Sequence, residues 1–257
     1  VCGISLFKNR FVSLIGRKDK RLYSFLFILC SKKLRMSPEF IQTLLLTAKL
    51  ALSTTLILFI IGLPIAALLA FTRFRLKVIF EALINMPMVL PPTVIGYYLL
   101  VAFSPQHAFG GFLERWFDLR LAFTFQGVLI ASVIFSLPFM VQPLQNGFVA
   151  LPKSYREAAY TLGKSKMETF FRVLVPNIKP SIVTAVAMTF AHSIGEFGIV
   201  LMVGGNMPGE TRVASIAIYD EVQSLNYTTA NQYSLILFAV SFVLLVIIYS
   251  VNRRFRI

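Results

Sequence analysis

Cysteine and histidine are scarce in this chain. Cys2 and Cys30 both precede residue 36, and His107 and His192 are the two imidazoles. Residues 36–257 therefore hold neither a disulfide nor a thiol nucleophile. His192 and Glu196 stand one helical turn apart, yet with only His107 in reserve the sequence offers no convincing third metal ligand. There is no G-x-x-x-x-G-K-[ST] loop, so no site on this chain grips the phosphates of ATP. H-E-x-x-H, paired intramembrane aspartates and G-x-S-x-G are also missing, which leaves no obvious catalytic constellation. Charge is sparse as well, at 14% of residues.

Apolar residues fill that space, at 57% of the chain, and the balance is that of a polytopic membrane protein. Five apolar runs are long enough to cross a hydrocarbon core, which needs about 20 helical residues. They lie near 43–71, 80–103, 123–149, 181–203 and 231–251, and the expected fold is all-α. The net charge of +14 is informative through its placement. Residues 72–79, 150–180 and 252–257 hold twelve Lys and Arg, whereas the alternate loops 104–122 and 204–230 hold three, Arg115, Arg120 and Arg212. Basic loops stay in the cytoplasm, so the 150–180 segment and the C-terminus are expected there. Lys49, near the outer end of the first run, reads as a snorkelling side chain.

The remaining nine basic residues all precede Met36, and an odd span count would place them outside, against the charge rule. Their one apolar stretch, Leu22 to Cys30, is too short to span. Met36-Ser-Pro-Glu directly before the first run suggests that 1–35 is a basic leader apart from the native protein, with 36–257 a single transmembrane domain.

Proline interrupts three spans: Pro64 in the first, Pro87, Pro91 and Pro92 in the second, Pro138 and Pro143 in the third. Each removes a backbone donor. Inside a bilayer such breaks persist where protein or a polar cavity satisfies the freed carbonyls, so Met86 to Thr93 reads either as a simple kink or as part of a pathway. Gln142, Gln145 and Asn146 end the third span and are expected to tie helices together. In the fourth, Glu196 is expected to serve structure through a hydrogen bond to a neighbouring helix. Beyond it, Gly204 to Arg212 reads as an ordered turn, followed by a short surface helix over Val213 to Val222.

Residues 154–176 are a polar, basic island between apolar runs. Two S-x-x-E boxes, Ser154 with Glu157 and Ser165 with Glu168, each predict a helix start. Tyr155, Ala158, Ala159 and Leu162 then recur at i, i+3, i+4, i+7, as do Met167, Phe170, Phe171 and Leu174. With Gly163 closing the first helix and Pro176 limiting the second, the unit reads helix, tight turn, helix. On spacing alone it is either a hairpin packed on its own membrane domain or a surface for a partner. A DNA-reading helix pair is disfavoured by its tether between spans.

The arrangement Glu157-Ala158-Ala159, Gly163 and Pro176 resembles the EAA loop of ABC importer permeases. Gly195-Glu-Phe-Gly198, Gly205 to Arg212 and Ala217-Ile-Tyr219 resemble the permeases for molybdate, tungstate and sulfate, and Met86 to Thr93 with Gly96-Tyr97 resembles the molybdate members. Together these matches cover about Met36 to Asn252. The resemblance implies a homodimer of permeases in the bacterial or archaeal cytoplasmic membrane, a cytoplasmic ATPase subunit that hydrolyses ATP, and an extracytoplasmic oxyanion-binding protein. It implies that Glu157, Ala158, Ala159 and Gly163 sit in a groove on the ATPase. A multiply charged anion needs hydroxyl, amide or backbone donors along its path, and Thr93, Thr189 and Ser193 are candidates, with Pro91, Pro92 and Glu196 as candidate gating positions. The chain binds no cofactor itself on this reading. Its rival is an ATP-independent channel or secondary transporter, which the odd span count and absence of a repeat disfavour.

Overall fold

A computed structural model describes residues 38–72 and 75–254, so the leader expected at 1–35 lies outside the described residues. Every regular element among those residues is helical. Helix α1, Pro38–Phe71, and helix α5, Phe125–Ala150, are continuous and apolar, with 34 and 26 residues. At 1.5 Å per residue they reach about 51 and 39 Å, more than a bilayer's hydrocarbon core of about 30 Å. Pro64, Pro138 and Pro143 remain inside them.

The two helices pack closely over the C-terminal halves of both. Leu58, Leu63, Ala66 and Leu69 of α1 meet Met140, Val141, Leu144 and Phe148 of α5 in one buried cluster. A Cβ on Gly62 would come within 2.8 Å of the Met140 side chain, so the missing Cβ permits the approach. A second cluster, around Leu50, Val128, Ala131, Ile199, Val203 and Ile216, fills the opposite half.

The second and fourth expected spans are not single rods. Residues 77–103 form α2, Lys77–Val89, and α3, Pro92–Phe103, bent by 110°. The cause is local: Leu90 and Pro91 are extended, with ψ of 141° and 136°, and Pro92 opens α3 where a missing N–H costs nothing. After helix α4, Ala108–Phe117, and α5, the chain makes α6, Lys153–Thr161, and α7, Lys166–Asn177. Helix α8, Lys179–Gly195, leaves α7 at 75°. A second break at Glu196 and Phe197 separates α8 from α9, Gly198–Gly204. Helices α10, Ala214–Gln223, and α11, Tyr227–Arg254, complete the chain.

The polar residues that end the third span tie it to the second as expected. Gln142 Nε2 donates to Asn85 Oδ1 at 2.6 Å and Gln145 Nε2 donates to Glu81 Oε1 at 2.7 Å. The short helix expected near 213–222 is α10, but Ala214, Ile216 and Ala217 are buried, so it packs into the domain. Its first N–H is capped from afar, Ala214 N donating to Thr47 Oγ1 of α1 at 2.8 Å.

Candidate functional site: the polar loop and the paired helix breaks

Gly163 ends α6 in the left-handed conformation, at φ +73°. Its N–H donates to the Tyr160 carbonyl and the Lys164 N–H reaches back to Ala159, at 2.9 and 3.0 Å, which is the paired closure of a Schellman turn. Ser165 then starts α7, its Oγ accepting from Glu168 N at 3.2 Å. The Glu168 carboxylate turns to cations instead of back to the cap, with Lys164 Nζ at 2.7 Å and Arg172 at 3.0 Å. The Lys164 hydrogen bond holds the Glu168 carboxyl below its ordinary range against the opposing effect of desolvation, and the charges of Lys164 and Arg172 add to the lowering.

The first expected capping box does not form. Pro152 occupies the cap and the helix begins at Lys153, which places Ser154 and Glu157 inside the first turns without a side-chain cap. The expected apolar faces are only partly covered by the membrane domain. Within α7 the turn over Phe170–Leu174 is π-helical, with Val175 N donating to Phe170 O five residues back. That wider turn buries Leu174 and half-buries Phe170, while Met167 and Phe171 stay 67% and 56% exposed. In α6, Ala159 alone is buried, and Leu162 is 78% exposed. Tyr155, Tyr160, Leu162, Met167 and Phe171 are thus uncovered apolar side chains of this loop, and Glu157, Ala158 and Gly163 are exposed with them.

This loop is fastened to the spans through aromatic rings, of which the sequence alone singled out Phe170 and neither Phe71 nor Phe148. Phe71 at the end of α1 meets Phe148 of α5 edge-on at 5.4 Å, and Phe148 stacks with Phe170 of α7 at 5.7 Å. The Arg156 guanidinium of α6 lies 5.3 Å from the Phe71 ring. These contacts join the loop directly to α1 and α5.

The two breaks in the second and fourth spans meet. A Cβ on Gly198 would lie 3.0 Å from Pro92 Cβ, and one on Gly96 would lie 2.8 Å from Met202 Cβ, so α3 and α9 run against each other from the breaks outward. Glu196 is 4% exposed and held on two sides. Ser132 Oγ of α5 donates to its carboxylate at 2.6 Å, and Ser215 Oγ of α10 donates to its backbone carbonyl at 2.7 Å. Ser193, also buried, has its Oγ 3.4 Å from that of Ser136, and Thr189 is fully buried. His192 stacks on Phe139 with ring centres 4.0 Å apart. By contrast Pro91, Pro92 and Thr93 are exposed at the first break. The candidate pathway residues therefore divide into an exposed group on the second span and a buried group on the fourth.

A helical membrane domain with an uncovered apolar loop at one end is the form of a permease subunit that works against a partner. The chain belongs to the family of binding-protein-dependent transport system inner membrane components, which matches residues 62–257. It is 45% identical over 222 residues to the molybdenum transport system permease protein ModB of Azotobacter vinelandii, covering 86% of this chain and 97% of the relative. With the sulfate transport system permease protein CysT of Escherichia coli it shares 34% identity over 196 residues, 76% of this chain and 70% of that one. The fold matches a solved bacterial ABC transporter involved in import of the acidic polysaccharide alginate. There the TM-score is 0.73 at 17% identity, with 97% of this chain and 95% of that chain covered.

Proposed function

We propose that this chain is the membrane-spanning subunit of an ATP-driven importer for a tetrahedral oxyanion, molybdate or its near twin tungstate. The observation that carries the importer reading is the open apolar surface of α6 and α7 beside Glu157, Ala158, Ala159 and Gly163. Apolar patches of this kind on a cytoplasmic loop mark a protein partner. That partner is the ATPase subunit, which supplies the nucleotide chemistry; the 45% identity to a molybdenum permease supports the cargo. The basic content of residues 150–180 supports a cytoplasmic position for the loop, with the C-terminus on the same side. An extracytoplasmic binding protein delivers the anion and a second copy of the chain completes the path.

The coupling route runs from Gly163 and the α6–α7 surface through Phe170, Phe148 and Phe71 into α1 and α5. Along the path, exposed Pro91, Pro92 and Thr93 face the cargo, and buried Thr189, Ser193 and Glu196 hold the wall behind them. A buried carboxylate turned away from the path spares the anion a like-charge encounter. The 34% identity to a sulfate permease favours sulfate as the second reading.

The test is uptake by proteoliposomes holding the full complex with its binding protein. Uptake that requires ATP and is strongest for molybdate or tungstate is the expected result. Sulfate preference selects the second reading, and uptake that persists without the ATPase overturns the importer reading.

A further inference from the structure

Helix α4, between α3 and α5, carries an aromatic side that nothing in the described protomer covers. Phe109, Phe112 and Trp116 fall on one stripe and are 53%, 52% and 76% exposed. Phe117 extends it, with its ring 6.1 Å from that of Phe112, which in turn lies 6.3 Å from Trp116. The opposite side is occupied: a Cβ on Gly110 would come within 2.5 Å of the Phe103 carbonyl oxygen, so α4 is pressed onto the end of α3. Leu113 packs against the buried cluster around Leu121 and Val128. Arg115 borders the stripe, and Glu114 pairs with Arg120 at 2.5 Å.

We infer that α4 lies in the membrane–water interface, with its aromatic stripe sunk among lipid headgroups and upper acyl chains, and anchors the outer half of the broken second span. Tether length argues for lipid as the occupant. Residues 104–107 link α4 to α3 and residues 118–124 link it to α5, so the helix stays close to the bilayer surface. Composition argues for it too, because aromatic rings beside arginine suit the headgroup layer, where apolar faces and a cation are both satisfied. The depth agrees, since Lys49 Nζ sits 4.6 Å over the ring of Phe125, the first residue of α5, and an ammonium at that level marks the interface. Because Gly110 locks α4 onto Phe103 and Ser104, an anchored α4 fixes the end of α3 that lies farthest from the break at Pro91 and Pro92.

This inference rests on reading the chain as a membrane permease and does not depend on the cargo. Trp116 is the single tryptophan of the chain, so its fluorescence in the full-length protein reports α4 alone. The protein is reconstituted into phosphatidylcholine vesicles with acyl chains brominated at shallow or deep positions, and iodide is added outside. Shallow bromines should cut Trp116 emission by about half, deep bromines and iodide much less. Strong iodide quenching without bromine quenching would put the stripe in water and overturn the inference. Protection from both would seat it against a second copy or another protein, and would overturn it equally. Failure of ATP-dependent uptake with shallow bromine quenching intact would remove the transport reading and leave the anchor standing.

Discussion

Two glycine turns at different ends of the molecule use the same backbone conformation for opposite purposes. Gly163 closes α6 at φ +73° and a Cβ there would meet nothing within 4 Å. Gly205 closes α9 at φ +64° and a Cβ there would run into the Phe123 ring at 2.5 Å. Around Gly205 the loop is satisfied internally. Arg212 Nε donates to Asn206 Oδ1 at 2.8 Å, Asn206 Nδ2 donates to Asp220 at 3.0 Å, and Thr211 Oγ1 donates to the Gly204 carbonyl at 2.7 Å. Around Gly163 the apolar side chains are left open. A turn closed on itself holds the fold, and a turn left open awaits something else.

The largest expected effect is on the closed turn. Gly205→Ala adds left-handed strain and a clash with Phe123, together about 2–4 kcal/mol, read as a lower midpoint of thermal unfolding. Gly163→Ala, with the strain but no clash, should lose about 1–2 kcal/mol; equal losses would erase the distinction between the turns. Next comes the open surface. Phe171→Asp, at a 56% exposed position, should leave unfolding within about 0.5 kcal/mol of the parent while ATP-driven uptake falls about tenfold or more. Uptake at the parental rate would show that this surface serves no partner.

A smaller effect is expected from Asp220→Ala. It removes the acceptor shared by Asn206 and Arg212 and should lower stability by about 1 kcal/mol without touching ATPase binding, checked by unfolding and by co-purification. Smallest is Glu168. Its pKa is depressed in the fold, so its contribution is present at neutral pH and is lost as pH falls through that depressed value. Glu168→Gln should remove this acid dependence of loop order, followed by hydrogen exchange at Lys164 to Arg172; an unchanged pH profile would contradict the pairing.

Much of this was legible in the chain itself, where the signal was local. The first and third spans follow from long apolar runs, the α6 terminus from Gly163, the α7 cap from Ser165, and the helix ties from Gln142 and Gln145. The break at Glu196 was not legible, because Ala191 to Gly195 is compatible with helix and the interruption is stabilised by Ser132, Ser215 and Pro92 from three other elements. Ser154 misled because a helix start was read from the box alone, while Pro152 sets the boundary one position before Lys153. Periodicity marked Phe170, Phe171 and Leu174 as one apolar face but gave no sign of the π turn over Phe170–Leu174, which departs from the 3.6-residue repeat. The Phe71, Phe148 and Phe170 chain joins three helices distant in sequence, and only the fold brings those rings together.

The most direct test of the central claim is the affinity of the full-length protein, in lipid nanodiscs, for its ATPase subunit, compared between the parent and Leu162→Asp. Leu162 is 78% exposed, the most exposed large apolar side chain of the loop, so a charge there should weaken binding about 30-fold, near 2 kcal/mol, with the unfolding midpoint unchanged. Equal affinities for the two proteins would contradict the account, because the loop would then be open for a reason other than the ATPase.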